Sequence, residues 1–253
     1  MEFDPDDPAI VDAVAKALID AEKQRQLEVV GSISFDHSIF ETAANMLTDA
    51  GARETIIIGW SLVSYCLDFA VRQNLGHGTQ KQVAELVEGL GPLSSDAAKL
   101  KLTRALGWLQ PHIFEAANAV RKWRNKVAHQ IVRNEDVEKY NALPQLFREE
   151  IDRVVEAVRA LAAKTTGYQI KKMPVNDIVL LKCALLLLAN HVMGSVIFGP
   201  ARLALGMTGG PVFFGREESP QWWLDVTKAS SRAAIIVIRA GIANSTEEDW
   251  QGA

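Results

Sequence analysis

The chain has 253 residues, of which 48% are apolar and 23% charged, with a formal net charge of −4. That length fits one large domain or two small ones, and that composition excludes a disordered, collagen-like or disulfide-scaffold protein. The charge is segregated: residues 1–30 carry eight acids and three bases, whereas residues 99–133 carry eight bases and the single acid Glu115. A local basic zone of this kind bears on partners even when the sum is acidic.

The acidic opening, Met1-Glu2-Phe3-Asp4-Pro5-Asp6-Asp7-Pro8, carries no secretory signal. Asp7 and Pro8 suit the N-cap and first turn of a helix over about 9–30, with apolar residues at threes and fours and Gly31 as its stop. A second helix is expected from Asp36 through Leu47, broken at Gly51. Residues 53–74 are long and apolar. Their β-branched run Thr55-Ile56-Ile57-Ile58 could be a strand in isolation, but the length and the lack of a turn before Gly76 favour a central buried helix. Cys66 and Cys183 sit in apolar runs and read as reduced core thiols of a cytoplasmic protein.

Residues 76–80 form a Gly-rich turn, and Gly89-Leu90-Gly91-Pro92 a loop. Ser94 or Ser95 then caps a helix that Gly107 ends. Pro111 opens a helix over 111–130. A helix over about 135–163 follows, which Pro144 should kink or split. Thr165-Thr166-Gly167 looks like a boundary. Residues 177–199 are apolar enough for a membrane span, but Lys182, Asn190 and His191 argue against one, so a buried helix is expected and a membrane-associated one is the alternative. Residues 206–220 read as a loop bearing Phe213 and Phe214, 220–243 as a last helix, and 246–253 as a polar tail.

Common enzyme motifs are missing. The five histidines never stand at H-x-x-x-H spacing or beside a Cys pair, so no metal and no cofactor is expected. The Gly-rich segments lack the Gly-Lys-Ser/Thr of a phosphate-cradling loop, and no G-x-S-x-G elbow occurs.

The informative stretch is Arg121-Lys122-Trp123-Arg124-Asn125-Lys126-Val127-Ala128-His129. At about 100° per residue, Ile113, Ala116, Val120, Trp123, Val127 and Ile131 form the core stripe of its helix. Arg124 lies at the edge of that stripe. Asn125 and His129 stack on the solvated side, with Lys122 and Lys126 beside them. A bare solvated face explains this pattern, and so does a phosphate-handling site. A histidine can accept and return protons near neutral pH, and an arginine fork can hold a phosphate. Together they suffice to cleave RNA without metal, because RNA supplies its own 2′-hydroxyl nucleophile.

Arg124-Asn125-Lys126-Val127-Ala128-His129 resembles the Arg, polar residue, three residues, His motif of the HEPN superfamily. Gly91-Pro92-Leu93-Ser94-Ser95, Ala98-Lys99-Leu100-Lys101-Leu102 and Ala105-Leu106-Gly107, followed by that motif, resemble the signature of the mannitol operon repressor family, itself similar to HEPN domains. The upstream long helix with Leu67-Asp68 fits as well. The resemblance covers about 32–163 and is densest from Gly91 to His129.

Periodicity and resemblance together lead to an all-α fold with a HEPN-like helical bundle at 32–165; the chain departs from the family by an acidic N-terminal helix at 1–31 and a helical C-terminal extension at 166–253. The resemblance implies Arg124, Asn125 and His129 as catalytic residues of a metal-independent endoribonuclease, working in the cleft of a homodimer with a toxin, defence or stress role. Arg121, Lys122 and Lys126 would then attract the RNA. The alternative it implies is a non-catalytic transcriptional regulator acting through protein partners; an antitoxin would be the partner in the nuclease reading and a regulatory protein in this one. A helix-turn-helix is absent, so direct reading of DNA is not expected. Among the remaining residues, Trp123 is expected in the core rather than as a base-stacking platform. Asp68 is expected on the helix surface rather than in the cleft. His37, His77 and His112 should be solvated, and Trp222-Trp223 should pack under the last helix. The acidic helix at 1–30 could also lie against the basic zone and mask it.

Overall fold

The computed structural model describes residues 12, 16–17, 33–76, 79–129, 140–166, 176–204 and 220–243. The chain is all-α, and no strand occurs among the described residues. In chain order the helices are α1 (Ser38–Thr48), α2 (Ala52–Asn74), α3 (Gln80–Val87), α4 (Asp96–Ala105), α5 (Pro111–His129), α6 (Ala142–Leu146), α7 (Arg148–Thr166), α8 (Asp177–Ile197), α9 (Gly199–Ala204) and α10 (Gln221–Ala243). Of the expected helix at 9–30 only residues 12, 16 and 17 are described, and these are helical; the loop at 206–219 and the polar tail lie outside the described residues.

The run 55–58 is helical, because Thr55 and Ile56 continue a buried face through Gly59, Trp60, Val63, Cys66, Leu67 and Ala70. Burial of that face outweighs the small helix penalty of β-branched residues. α3 was not expected. Its signal is the Thr79…Gln82 pair, a reciprocal capping box in which Gln82 N donates to Thr79 Oγ1 (3.3 Å) and Thr79 N donates to Gln82 Oε1 (2.9 Å). α4 starts at the N-cap Ser95 and stops as expected at Gly107, whose φ of 69° suits glycine. Gly107 N donates to Arg104 O (3.1 Å) and Trp108 N to Thr103 O (2.9 Å), the paired bonds of a Schellman ending. The helix expected at 135–163 is divided between α6 and α7 at Phe147, three residues beyond Pro144.

α8 is the centre of the molecule. It packs along α2 and also touches α1, α5, α6, α7, α9 and α10, and one apolar cluster runs through all these contacts. Residues 166–253 were expected as a helical C-terminal extension of the bundle at 32–165. Instead they supply the core's central helix, because the apolar face of α2 has its main cover in α8 and not within 32–165. α7 also runs through Thr166 without a break at the expected boundary.

α2 and α8 each have the length and apolar composition of a membrane span, yet they lie largely buried against one another. Lys182 explains its own place in the apolar run. Its stem is buried and its Nζ donates to the Thr48 carbonyl (3.2 Å) at the end of α1, where a helix leaves carbonyls unpaired. Burial pushes the Lys182 pKa down, and the Asp49 carboxylate only partly offsets it. Cys66 and Cys183 are buried free thiols whose pKa values burial pushes up. Trp222 and Trp223 pack on Phe198, with ring centroids at 6.1 and 5.3 Å.

Candidate functional site

α2, α4 and α5 meet around a polar pocket of about 320 Å³. Trp60, Ser61 and Ser64 line it from α2, Ser95, Asp96 and Ala97 from the start of α4, and Arg121, Arg124 and Asn125 from α5. The rotation of α5 is set by Ile113, Ala117, Val120 and Val127, which are buried. That rotation sends positions 121, 124 and 125, spaced by three and four, to one common face.

Asp96 is the acid of the pocket. Its carboxylate accepts from Trp60 Nε1 (3.2 Å) and from Ser64 Oγ (2.8 Å), so two donors on α2 fix its orientation. Ser95 Oγ accepts from Ala98 N (3.2 Å), which leaves the Asp96 and Ala97 amides at the positive end of the helix dipole. Arg121 donates from Nε and Nη2 to Asn118 Oδ1 (3.3 and 2.9 Å), and Arg124 Nη1 donates to Asn125 Oδ1 (3.3 Å). Neither guanidinium forms an ion pair with a carboxylate among the described residues. The pocket therefore holds two cationic forks, three hydroxyls and a helix N-terminus around one anchored carboxylate. Such a set can take an anion flanked by hydrogen-bond donors.

Three of the six expected site residues, Arg121, Arg124 and Asn125, come together here. Asn125 is exposed, as expected for the solvated side, and from there lines the pocket beside Arg124. Lys122 and Lys126 are exposed on α5 and do not line the pocket. His129 is exposed at the last residue of α5 and does not line it either. On one helix Arg124 and His129 are about 140° and about 7.5 Å apart, so they do not converge within one protomer.

Asp68 is neither a lone surface acid nor part of the pocket. It is half-buried, with Lys99 Nζ at 2.5 Å and Arg72 Nε at 2.6 Å, and Arg72 Nη1 lies 2.9 Å from Glu88 Oε1. Burial pushes the Asp68 carboxyl up, but the Lys99 and Arg72 contacts outweigh it and hold its pKa below the ordinary value. Lys99 is buried, so its charge is neutralised within the fold and is lost to the basic zone. Trp123 is half-buried with its ring 4.6 Å from that of Tyr140, in keeping with a packing role. His37 and His112 are exposed, and His77 lies outside the described residues.

Sequence reasoning overlooked Trp60, Ser61, Ser64 and Asp96, and treated Ser95 only as a cap. The signal for α2 was present: Ser61, Ser64, Asp68 and Arg72 form a polar stripe at helical spacing on an apolar helix. Among the described residues no three His, Cys, Asp or Glu side chains gather as metal ligands.

No family model, curated protein or solved structure matches the chain. The likeness to the mannitol operon repressor family therefore rests on the motif residues that carry it.

Proposed function

We propose that the protein binds RNA in the cytoplasm through the Arg121–Arg124–Asn125 pocket and cleaves it without a metal ion, as a homodimer. The observation that carries this reading is the pair of guanidiniums, unpaired with any described carboxylate, that share a pocket with the first turn of α4. A phosphodiester is the ligand that such forks and amides match. Lys101, Arg104, Lys122 and Lys126 are exposed on the same two helices and supply attraction for the flanking backbone.

In this reading Arg124 holds a phosphate and neutralises the charge that develops on it. His129 comes from a second protomer, which removes the angular conflict within one helix. Its imidazole takes the proton of the ribose 2′-hydroxyl, that oxygen attacks the adjacent phosphorus, and the 5′-oxygen leaves with a proton. A 2′,3′-cyclic phosphate remains on the upstream fragment.

The test is incubation of end-labelled single-stranded RNA with purified protein in EDTA. Cleavage is expected, with a loss of about 10²–10⁴ in rate for His129→Ala. Arg124→Ala should lose binding as well as cleavage. RNA that is bound but left intact would remove the nuclease step. RNA that is not bound would remove the whole reading.

A further inference from the structure

A carboxylate is an unexpected lining for a pocket that takes phosphate, because it repels the ligand. Asp96 is nevertheless held there firmly. Trp60 Nε1 and Ser64 Oγ, both from α2, donate to its two oxygens. Neither Arg121 nor Arg124 pairs with it, although all three residues line the same space. An ionised carboxylate offers about four acceptor sites, and two are used here. The others are open to a donor carried by the ligand. The volume of about 320 Å³ is at the lower end of small-ligand pockets.

We infer that Asp96 accepts a hydrogen bond from the ribose 2′-hydroxyl of the nucleotide on the 5′-oxygen side of the phosphate held by Arg121 and Arg124, a different hydroxyl from the one that attacks, so that the pocket selects RNA over DNA. The inference rests on the RNA-binding reading above and adds the group that distinguishes the sugar. The 2′-hydroxyl is the donor that RNA has and DNA lacks. With RNA, the repulsion between Asp96 and the phosphate is offset by this bond. With DNA, the repulsion remains and a part-buried acceptor faces a carbon. Sites built to bond a hydroxyl reject the analogue that lacks it for this reason. Asp96 is thus a specificity residue, and Trp60 and Ser64 position it.

The experiment measures anisotropy of labelled single strands of one sequence as RNA, DNA and 2′-O-methyl RNA. The full chain carries His129→Ala so that RNA stays intact. RNA should bind roughly 10- to 100-fold more tightly than either other strand. Asp96→Asn keeps an oxygen for Trp60 and an amide for Ser64 while removing the charge. It should raise affinity for all three strands and narrow the RNA preference. Ser64→Ala, which loosens the carboxylate without removing its charge, should narrow the preference without the general gain. Equal binding of RNA and DNA, or a ratio unchanged in both variants, overturns the inference. If no strand binds, or if binding ignores Arg121→Ala and Arg124→Ala, the RNA-binding reading fails instead.

Discussion

The backbone of Gly59 lies directly against the side chain of Leu185. A Cβ built at position 59 would come within 2.5 Å of Leu185 Cδ1 and 2.9 Å of its Cβ. The clash includes the root of the leucine side chain, so a rotamer change does not relieve it. Gly59→Ala should therefore destabilise the protein by about 1–3 kcal/mol, despite the roughly 1 kcal/mol by which alanine favours a helix. Chemical denaturation measures this directly. Combining it with Leu185→Ala should recover part of the loss, and simple additivity of the two variants would contradict the packing described.

Asp68 links stability to acid. Its pKa is lowered in the folded state from an ordinary value of 3.8, so its contribution is full above about pH 4. As pH falls below that value the unfolded chain binds the proton first, and the contribution is lost through the folded pKa. Urea midpoints of wild type and Asp68→Asn should be furthest apart near neutrality and converge below pH 4. A constant gap would show that the Lys99 and Arg72 contacts contribute nothing through charge.

His191 gives a second window at higher pH. Burial pushes its pKa down from 6.5, Glu150 with its Oε1 3.8 Å from Nε2 pushes it up, and His112 pushes it down again, with a net lowering. The folded state thus binds the proton less readily than the unfolded one. Stability is full above about pH 6.5 and declines as pH falls through that value toward the folded pKa. His191→Gln should flatten the decline between pH 7 and 5. A slope as steep as that of wild type would assign it to other groups.

The separation of Arg124 from His129 makes the dimer testable by mixing. Arg124→Ala and His129→Ala should each be inactive alone. If each site takes its arginine from one protomer and its histidine from the other, random reassociation restores one intact site in half of the dimers. About a quarter of wild-type activity should then return. No recovery after verified subunit exchange would mean that both residues act within one chain.

Much of the fold was legible because local chemistry specifies it. Ser95 and Gly107 bound α4, Pro111 opens α5, and the apolar stripe through Val120 and Val127 sets its rotation. α8 was recognisable as a helix, but its role was not. Its apolar residues run all round the axis, so no face indicated which neighbour it covers. Lys182 stood out in the apolar run, but its partner, the Thr48 carbonyl, lies 134 residues away. The site was half legible. Arg121, Arg124 and Asn125 share a helix and a spacing that periodicity reveals. Asp96 and Ser64 are 32 residues apart, and only tertiary packing joins them. Lys99 misled for the same reason, since its sequence neighbours are bases and its spatial neighbour is Asp68.

The central position of α8 also sets a timetable for synthesis. When residues 52–165 have left the ribosome, the apolar side of α2 lacks its main cover, because Asp177–Ile197 has not yet been made. The nascent chain must hold that surface uncovered, or rest it on a chaperone, until α8 emerges. A release after residue 165 would leave the motif helix intact in sequence but without the core against which α2 is held. Such a fragment should be recovered as aggregate while the full chain stays in solution. The pocket formed by α2, α4 and α5 thus gains its supporting core only once α8 has been made.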